Sequence, residues 1–533
     1  MKEIRANTDL NLVFMEISDG RNEVKEYVEK PKQEIKSLIF ETPLRTAIYN
    51  HPVLSQILNS ISAIDFSEHA EETVTGKKRD LDPEAKVVVV IGRLIEVSAQ
   101  IGCGIGCENG NVYVYNNSYW EQIGDEIFKY FLGEVAFKSG YNSIHARKRK
   151  LNESLCEHFF LSAPFSRPNK KSGIIKINLN NGTYHINSTK GTRESSLNKP
   201  DKDNYFMYRL PFNYGPDATA PLFQKYLDRV LPDADAQNIL FEYCGYIFTH
   251  HLKLERILIL HGSGSNGKSV FFEILSALLG EENISHFSMD KLCDDTGYYR
   301  ANLPGKLVNY ASEFGGKMDM QMFKRMVSNE PIDARNPYGR AFMVKDYGKF
   351  IFNTNKLPEV EHTDAFFRRP LIIPFKQKID SSERDNSLSK KIIVSELSGI
   401  FNLILEGLDR LLSQNDFSKS KLVDEEMAIY RMESNSISLF VEEEGIVPSV
   451  DKKMRVKDLY ERYMQYCRES GIRHGFSKQN FKKKLEELSF RINPAGAGRY
   501  AEVYCEELGG AEVISPGLDN DVMTLFKLNN NNS

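Results

Sequence analysis

The chain has 533 residues, of which 41% are hydrophobic and 27% are charged, and its formal net charge is -4 at pH 7. That length accommodates about three or four domains of ordinary size, and the negative charge argues against DNA binding by bulk positive charge, so a nucleic-acid site has to be a local basic surface. The opening residues lack an apolar signal core, and no uncharged apolar stretch reaches about 18 residues, which predicts a cytoplasmic protein without a membrane partner. The seven cysteines are scattered and odd in number, which favours reduced thiols over a disulfide framework.

The first part of the chain combines helical and strand-like patterns without a catalytic motif. Residues 1–85 mix charged helical pieces with polar connectors, and residues 71–84, which are charged and free of aromatic residues, are typical of a linker. Further on, the β-branched run Val87–Ile91 and the alternating run Asn111–Tyr115 are typical of strands. We therefore predict a small α+β domain over residues 86–215.

Two features of this predicted domain leave their function open. Cys103 and Cys107 have the spacing of half a zinc site, which Cys156 and His158 would complete. The spacing of that second pair is unusual for structural zinc, so packed thiols are the favoured interpretation. The basic run His145–Lys150 either faces DNA or lies on a solvated surface.

A hairpin and a helical region follow. The turn signal at Asn180–Thr183 indicates a β-hairpin. Between Pro221 and Leu252, apolar residues recur at helical spacing, which predicts a helical collar over residues 216–255. The same pattern is compatible with an internal core and with a subunit interface.

The octapeptide Gly262–Ser269 reads GSGSNGKS and lies between the strand-like run Arg256–His261 and the helix-like run Val270–Leu279. A strand, a glycine-rich loop and a helix in this order form a phosphate-binding loop, because backbone N–H groups and the helix N-terminus then face a polyphosphate. We predict that Lys268 reaches the β- and γ-phosphates of ATP and that the Ser269 hydroxyl binds Mg²⁺. The alternative is a glycine-rich surface turn. The other predicted nucleotide-binding residues are Gly262, Ser263, Gly264, Ser265, Asn266 and Gly267.

Three further elements supply the groups that nucleotide hydrolysis needs. A strand-like run ends in Ser312 and Glu313, so that Glu313 would polarise the attacking water and Ser312 would support the Mg²⁺ shell. Asn355 follows another strand-like run and could hydrogen-bond the γ-phosphate. Arg368 and Arg369 precede a further strand, where one of them could stabilise transition-state charge at a neighbouring subunit's site. Taken singly, each element has a structural alternative: a strand ending in an exposed Glu is common, an isolated Asn355 would more often form a turn, and the arginine pair would be solvated.

The order of these motifs resembles the superfamily 3 helicases, in particular their phage, plasmid and poxvirus primase-helicase branch, over roughly residues 112–412. The motifs are the phosphate loop Gly262–Ser269, the strand ending in Ser312 and Glu313, the NTNKLP sequence Asn353–Pro358, and the arginine pair before Ile372–Phe375. The resemblance implies an α/β protein with an AAA+ P-loop ATPase core over residues 256–415. It also implies a ring, usually a hexamer, that moves 3′ to 5′ along single-stranded DNA with ATP and Mg²⁺.

The resemblance also assigns roles to individual residues. Lys268 and Ser269 match the phosphate loop, Glu313 the catalytic carboxylate, Asn355 the sensor, and Arg368 or Arg369 the arginine finger. One departure concerns Ser312, which stands where many ATPases carry aspartate. Direct metal support from that strand is therefore in doubt, and the task falls to Ser269 and Glu313.

Two basic regions are predicted to contact DNA. The segment from Lys324 to Tyr338 resembles the family's DNA-gripping hairpin, in which Lys324, Arg335 and Arg340 can meet phosphates while Tyr338 offers a stacking face. The alternative is a hairpin with solvated charges.

The second basic region belongs to a C-terminal domain over residues 416–533. Helices predicted at Arg455–Arg468 and Ser477–Leu488 precede a hairpin at Phe490–Tyr504, an order that suggests a winged-helix-like domain. Its second helix has Ser477 as an N-cap and carries the basic residues Lys478, Lys482 and Lys483, which either contact DNA or are solvated. The tail at residues 529–533 is predicted to be disordered.

These patterns predict an ATP-dependent DNA helicase for the replication of a phage, plasmid or other mobile element. Its expected partners are single-stranded and forked DNA, further copies of the chain, and a replication initiator, primase or polymerase. Two alternatives are an ATP-switched DNA-binding initiator with little unwinding and a helicase-primase. A priming polymerase needs clustered carboxylates for two metals, and the only Asp-x-Asp sequence in residues 1–110 is Asp80–Asp82, within the predicted linker.

Overall fold

A computed structural model describes most of the chain between residues 42 and 507. The described residues are 42–69, 81–108, 110–165, 174–187, 194–249, 252–316, 318–337, 339–358, 360, 363–472, 475–494 and 501–507. Tyr338 and the predicted disordered tail lie outside them. The chain divides into two compact units, Met1–Lys170 with Lys199–Arg209 and Lys171–Asn198 with Leu210–Ser533.

The first unit is built from helices around a small antiparallel sheet. Its helices are α1 (Pro43–Asn50), α2 (Pro52–Ser60), α3 (Pro83–Gln100), α4 (Asp125–Lys138), α5 (Ser143–Ala146) and α6 (Arg149–Ser162). Its strands β1 (Ile105–Glu108), β2 (Asn111–Tyr115) and β3 (Trp120–Ile123) pair in the order β1-β2-β3. Phe128, Phe131 and Phe159 are fully buried in the core between the helices and the sheet.

The strand prediction for Val87–Ile91 is wrong, because this run lies inside α3. Asp82 Oδ1 accepts a hydrogen bond of 2.7 Å from Ala85 N and Pro83 occupies the first helical position, so the helix has a strong start within the region predicted as a linker. The buried residues of the helix follow a 3.6-residue period and include Val87, Val90, Ile91, Leu94 and Val97. Packing of this face overrides the β-propensity of the valines.

The second unit contains a five-stranded parallel sheet. Its elements are β4 (Ile174–Leu179), β5 (Gly182–Asn187), β6 (Glu194–Asn198), α7 (Pro221–Val230), α8 (Ala234–Tyr246), β7 (Ile257–His261), α9 (Lys268–Leu279), β8 (Ile284–Ser285), α10 (Met289–Leu292), β9 (Val308–Ala311), α11 (Met320–Val327), β10 (Ile332–Arg335), β11 (Ala341–Val344), β12 (Lys349–Thr354), α12 (Asp364–Phe367), β13 (Pro370–Pro374) and α13 (Leu388–Gln414). The parallel sheet has the order β13-β7-β12-β9-β8. All of β9 and β13 are buried, as expected for a sheet covered on both faces. The carboxyl ends of its strands therefore meet at one edge.

Two predictions for this unit are confirmed. The turn at Asn180–Thr183 joins β4 to β5, which pair in antiparallel register. The helical pattern between Pro221 and Leu252 corresponds to α7 and α8, and α8 packs along α13.

The start of α7 depends on a carboxylate from α13. Ala220 is the N-cap of α7 and contributes no side-chain hydrogen bond. Instead, the buried Glu396 accepts hydrogen bonds from Leu222 N at 2.9 Å and Phe223 N at 2.8 Å. The carboxylate thus satisfies two N–H groups that a helix start leaves unpaired.

Replacing Glu396 with alanine is expected to destabilise the packing of α7 on α13. The buried N–H of Phe223 and the partly buried N–H of Leu222 would lose their acceptor, which is expected to lower the stability by about 3 kcal/mol. Hydrogen exchange measured by mass spectrometry on peptides covering α7 should become faster, because the local opening free energy falls. Glu406→Ala is the matched control, since Glu406 lies on the same helix and is exposed. Equal exchange rates in the two variants would contradict a capping role for Glu396.

The end of the chain adds a smaller α/β region. Its elements are α14 (Lys421–Ser434), α15 (Ser436–Glu443), β14 (Ile446–Arg455), α16 (Val456–Glu469), α17 (Lys478–Glu487), β15 (Ile492–Asn493) and β16 (Glu502–Glu507). The three strands pair antiparallel in the order β14-β16-β15. From α15 onward the order is helix, strand, helix, helix, strand, strand, around a core that includes Phe440, Tyr463 and Phe481.

Candidate nucleotide-binding site

The predicted phosphate loop connects the end of β7 to the start of α9, as the sequence indicates. Gly264, Ser265 and Gly267 have φ values of 99°, 52° and 91°, which curl the loop and favour glycine at these positions. A Cβ on Gly262 would lie 2.1 Å from Asn266 Nδ2 and 2.5 Å from Phe375 O. Successive glycines therefore allow a tight cradle of backbone N–H groups at the N-terminus of a helix.

Lys268 is folded onto neutral oxygens of this cradle. Its Nζ donates hydrogen bonds to Gly262 O at 2.7 Å, Asn266 Oδ1 at 3.1 Å and Asn355 Oδ1 at 3.2 Å. Burial lowers the pKa of Lys268 to about 8. Three neutral oxygens thus surround the ammonium group at the place where phosphate oxygens are expected, which fits a polyphosphate ligand.

Asn355 reaches Lys268 because of the sheet topology. It follows β12, which pairs in parallel register with β7, so Thr354 lies opposite His261. Both strands end at the same edge, and the sensor candidate and the loop lysine meet there although they are 87 residues apart in sequence. Two of the sequence-predicted site residues are therefore brought into direct contact.

Ser269, Ser312 and Glu313 have exposed side chains. Ser269 lies in the first turn of α9, and Ser312 and Glu313 follow β9, the neighbour of β12 in the sheet. All three side chains therefore lie toward the edge of the sheet that carries the phosphate loop. They come from two elements, the first turn of α9 and the segment after β9. Their hydroxyl and carboxylate oxygens are the ligand type that Mg²⁺ prefers.

The two arginines of the predicted finger pair have different environments. Arg369 is buried, and its guanidinium contacts Ala365 O, Ser328 Oγ at 3.1 Å and Glu255 Oε2 at 2.9 Å. The side chain of Arg368 is 63% exposed and lies 3.0 Å from the same Glu255 oxygen. Only Arg368 therefore presents its guanidinium to solvent.

Sequence reasoning missed a tyrosine that supports the loop. Tyr226 of α7 donates a hydrogen bond of 2.9 Å to Gly267 O, and a Cβ on Gly267 would lie 2.7 Å from Val230 Cγ1. Burial raises the pKa of Tyr226 well above its usual range. The helical spacing of apolar residues around Tyr226 predicts that this residue is buried, which the structure confirms. The spacing does not identify Gly267 as its hydrogen-bond partner.

A second contact that the sequence did not reveal lies at the end of β7. His261 Nδ1 lies 2.9 Å from the buried Glu426 Oε1, and Lys376 Nζ lies 3.1 Å from Glu426 Oε2. Glu426 belongs to α14, whose Tyr430 donates a hydrogen bond of 2.6 Å to Pro358 O, three residues after Asn355. The helix therefore packs against both the phosphate-loop strand and the sensor loop.

The predicted DNA-contacting hairpin is present as the antiparallel pair β10 and β11. Arg335 and Arg340 are exposed near its tip, whereas Lys324 is half-buried on α11. The base is held by Arg300, a fully buried residue that lies 2.8 Å from Asp333 Oδ2. Burial alone would raise the pKa of Asp333, but the hydrogen bond and charge of Arg300, together with a backbone hydrogen bond and the charge of Arg325, lower this pKa overall.

The basic helix of the C-terminal region forms as predicted. Ser477 caps α17 by accepting a hydrogen bond of 3.3 Å from Asn480 N. Lys478 and Lys483 are exposed and Lys482 is half-buried.

All seven cysteines are buried free thiols. Cys107 Sγ donates to Ala163 O at 3.3 Å, Cys103 Sγ contacts Gln56 Oε1 at 3.5 Å, and burial raises the pKa of both thiols. Among the described residues there is no cluster of histidine, cysteine or acidic side chains that could hold a metal ion.

Three protein-family models match successive parts of this chain. A model described as D5 N terminal like matches residues 105–232, a family of unknown function (DUF5906) matches residues 260–369, and a model described as Poxvirus D5 protein-like matches residues 432–507. Two of these three models are D5-like, in agreement with the resemblance to the poxvirus branch of primase-helicases. The resemblance drawn from the sequence is thereby confirmed.

Solved structures of the apo C-terminal region of NrS-1 are also similar. One is 12% identical with a TM-score of 0.37 and covers 79% of this chain and 100% of that chain. Another is 13% identical with a TM-score of 0.39 and covers 78% of this chain and 99% of that chain. In the part of the chain that the structure describes, no helix is both long and apolar enough to cross a membrane.

Proposed function

We propose that this protein is an ATP-dependent DNA helicase that forms a ring and moves 3′ to 5′ during replication of a phage, plasmid or other mobile element. The observation that carries the proposal is the contact between Lys268 and Asn355 at the carboxyl edge of the parallel sheet. This contact joins a phosphate cradle to a polar sensor, a combination that a structural turn would not require. The matches to the two D5-like models support a replication enzyme.

The sheet order supports an AAA+ core over residues 256–415. Numbering its strands along the chain gives 5-1-4-3-2, with the phosphate loop after the first strand. Residues 216–255 would form the collar, residues 1–85 an N-terminal region and residues 86–215 the small α+β domain. The helix, strand, helix, helix, strand, strand order supports a winged-helix-like domain within residues 416–533.

Each residue of the site has a proposed task in ATP hydrolysis. Lys268 exchanges neutral oxygens for the β- and γ-phosphates of the ATP substrate, and Glu313 orients and polarises the attacking water. Asn355, released by Lys268, hydrogen-bonds the γ-phosphate. Ser269, Ser312 and Glu313 would hold Mg²⁺, which when bound neutralises charge on the phosphate oxygens.

Arg368 is the proposed arginine finger, because a finger has to reach a neighbouring subunit and this side chain is exposed. Arg369 is instead a structural residue, held by Glu255 and Ser328. This division requires a homo-oligomer, for which we propose a hexamer, and native mass spectrometry with ATP tests that number directly.

DNA binding is proposed at two basic surfaces. Arg335 and Arg340 are exposed on the β10–β11 hairpin, with Lys324 beneath, and Tyr338 would add a stacking face. The exposed lysines of α17 form the second surface, Lys478 and Lys483, with Lys482 beside them. Single-stranded and forked DNA are the proposed ligands, and a replication initiator, primase or polymerase is the proposed protein partner.

Strand displacement tests the proposal. With Mg²⁺ and ATP, the protein is expected to displace a labelled strand from a fork with a 3′ tail and to leave a fork with only a 5′ tail intact. Displacement from the 5′ tail alone would reverse the proposed direction. ATP hydrolysis on DNA without displacement of either strand would instead favour the ATP-switched initiator.

A further inference from the structure

The segment of residues 376–387, which leads from Phe375, the first residue after β13, to α13, contacts the phosphate loop. Immediately before it, Phe375 N donates to His261 O at 2.7 Å and Phe375 O accepts from Asn266 Nδ2 at 2.9 Å. Further along, Ile379 N donates to Ser265 O at 2.9 Å. This part of the chain is therefore tied to the end of β7 and to the loop by two backbone hydrogen bonds and one from the Asn266 side chain.

Arg384 of this segment contacts the loop directly. Its Nη2 donates a hydrogen bond of 2.7 Å to Ser265 Oγ. Ser265 has a φ of 52°, which is in the left-handed region and uncommon for a non-glycine residue. A guanidinium has five N–H donors, and the hydrogen bond to Ser265 uses one of them, so among the described residues Arg384 keeps further donors for a ligand.

The acidic residues on either side of Arg384 are paired with other cations. Glu383 Oε2 lies 2.8 Å from Arg229 Nη2, and Asp385 Oδ2 lies 2.6 Å from Lys391 Nζ. The hydrogen bond from Arg229 lowers the pKa of Glu383, and the hydrogen bond from Lys391 lowers the pKa of Asp385 to about 2. Arg384 is thus held beside the phosphate loop by a neutral hydroxyl, while its acidic neighbours are bonded to other groups.

Arg229 also holds the segment through a backbone carbonyl. Besides Glu383, its Nη2 donates a hydrogen bond of 3.0 Å to Lys378 O. Arg229 belongs to α7, the helix whose Tyr226 donates to Gly267 O. The same helix therefore supports the phosphate loop and the segment that crosses it, which keeps Arg384 close to the ligand position.

We infer that Arg384 is a further nucleotide-binding residue, which exchanges the Ser265 hydroxyl for a phosphate oxygen of bound ATP in its own subunit. The inference rests on the proposed function and deepens it. Lys268 shows the same arrangement in this structure, since its ammonium group is also held by neutral oxygens of the loop. A hydrogen bond from a guanidinium to an anionic phosphate is stronger than one to a hydroxyl, so ATP favours the exchange.

Binding of ATP to the full-length protein tests this assignment. Isothermal titration calorimetry with Mg²⁺ and the non-hydrolysable analogue β,γ-methylene-ATP is expected to show about tenfold weaker binding for Arg384→Ala than for the unaltered protein. Arg384→Lys should recover part of the loss. The matched control is Lys378→Ala, which removes an exposed positive charge from the same segment and keeps the backbone carbonyl that Arg229 uses.

Three results would overturn the assignment, and they separate it from the proposed function. If the unaltered protein does not bind the analogue, the proposed function fails together with the inference. If it binds and Arg384→Ala matches Lys378→Ala, only the inference fails. If Ser265→Ala loses as much affinity as Arg384→Ala and the double variant loses no more, the arginine only shapes the loop.

Discussion

Lys268→Ala is expected to lower DNA-stimulated ATP hydrolysis by at least about a thousandfold. The Lys268 ammonium group donates hydrogen bonds to Gly262 O, Asn266 Oδ1 and Asn355 Oδ1 in the structure. Without it, neither the ground-state phosphates nor the charge that develops in the transition state has a counter-charge from the loop. Steady-state phosphate release on single-stranded DNA measures the effect.

Glu313→Gln separates binding from chemistry in the same assay. It keeps the size of an exposed side chain and replaces the carboxylate base with an amide, so the variant is expected to bind Mg²⁺ and ATP but not to hydrolyse ATP.

Lys390→Ala, which changes an exposed lysine on α13, is the control for general charge effects in the Lys268→Ala measurement. Hydrolysis by Lys268→Ala at the rate of Lys390→Ala would remove the phosphate loop from the mechanism.

The pH dependence of ATP binding provides an independent measurement on the same residue. Burial lowers the pKa of Lys268 to about 8 in the nucleotide-free protein, and only its ammonium form neutralises phosphate. ATP affinity is therefore expected to be nearly constant below about pH 7 and to fall as the pH rises through about 8, because binding then requires proton uptake. Lys268→Arg keeps its charge over this range and should flatten the profile. An unchanged slope in that variant would assign the titration to another group.

The nucleotide site could be predicted from local sequence because its parts are short and each lies at the end of a strand. Gly262–Ser269, Ser312 and Asn355 all follow buried strands, and parallel strands bring such positions to one edge. The sequence order of the strands does not fix their order in the sheet. The contact of Asn355 with Lys268 therefore became visible only when β12 was found beside β7.

Other features depended on contacts that no local pattern encodes. The run Val87–Ile91 has strand propensity, yet Asp82 and the buried face extending to Val97 make it helical. Arg384 lies in a charged loop, and its partner Ser265 is 119 residues earlier in the chain. No rule of sequence spacing predicts such a pair, because loop conformation and tertiary packing determine which residues meet.

Arg368 and Arg369 are adjacent in sequence, and their division of labour depends on burial alone. Arg368→Ala is expected to lower ATP hydrolysis about a thousandfold while leaving thermal stability unchanged, since an arginine finger contributes at least that factor and the side chain is exposed. Arg369→Ala is expected to lower the melting temperature by several degrees, because it removes a buried side chain and leaves the buried Ser328 hydroxyl and the half-buried Glu255 carboxylate without this donor. Phosphate release and differential scanning fluorimetry measure the two effects.

Mixing two inactive variants tests whether the finger acts between subunits. An Arg368→Ala subunit retains Lys268, and a Lys268→Ala subunit retains Arg368, so a mixed ring contains interfaces at which both groups are intact. Partial recovery of ATP hydrolysis in the mixture is therefore expected, with a maximum near equal amounts of the two subunits. When Arg368 leaves Glu255 to reach the neighbouring subunit, Glu255 remains paired with Arg369 and keeps a counter-charge. Full activity of Arg368→Ala alone, or no recovery in a mixture that native mass spectrometry shows to contain both subunits, would contradict a finger supplied by a neighbour.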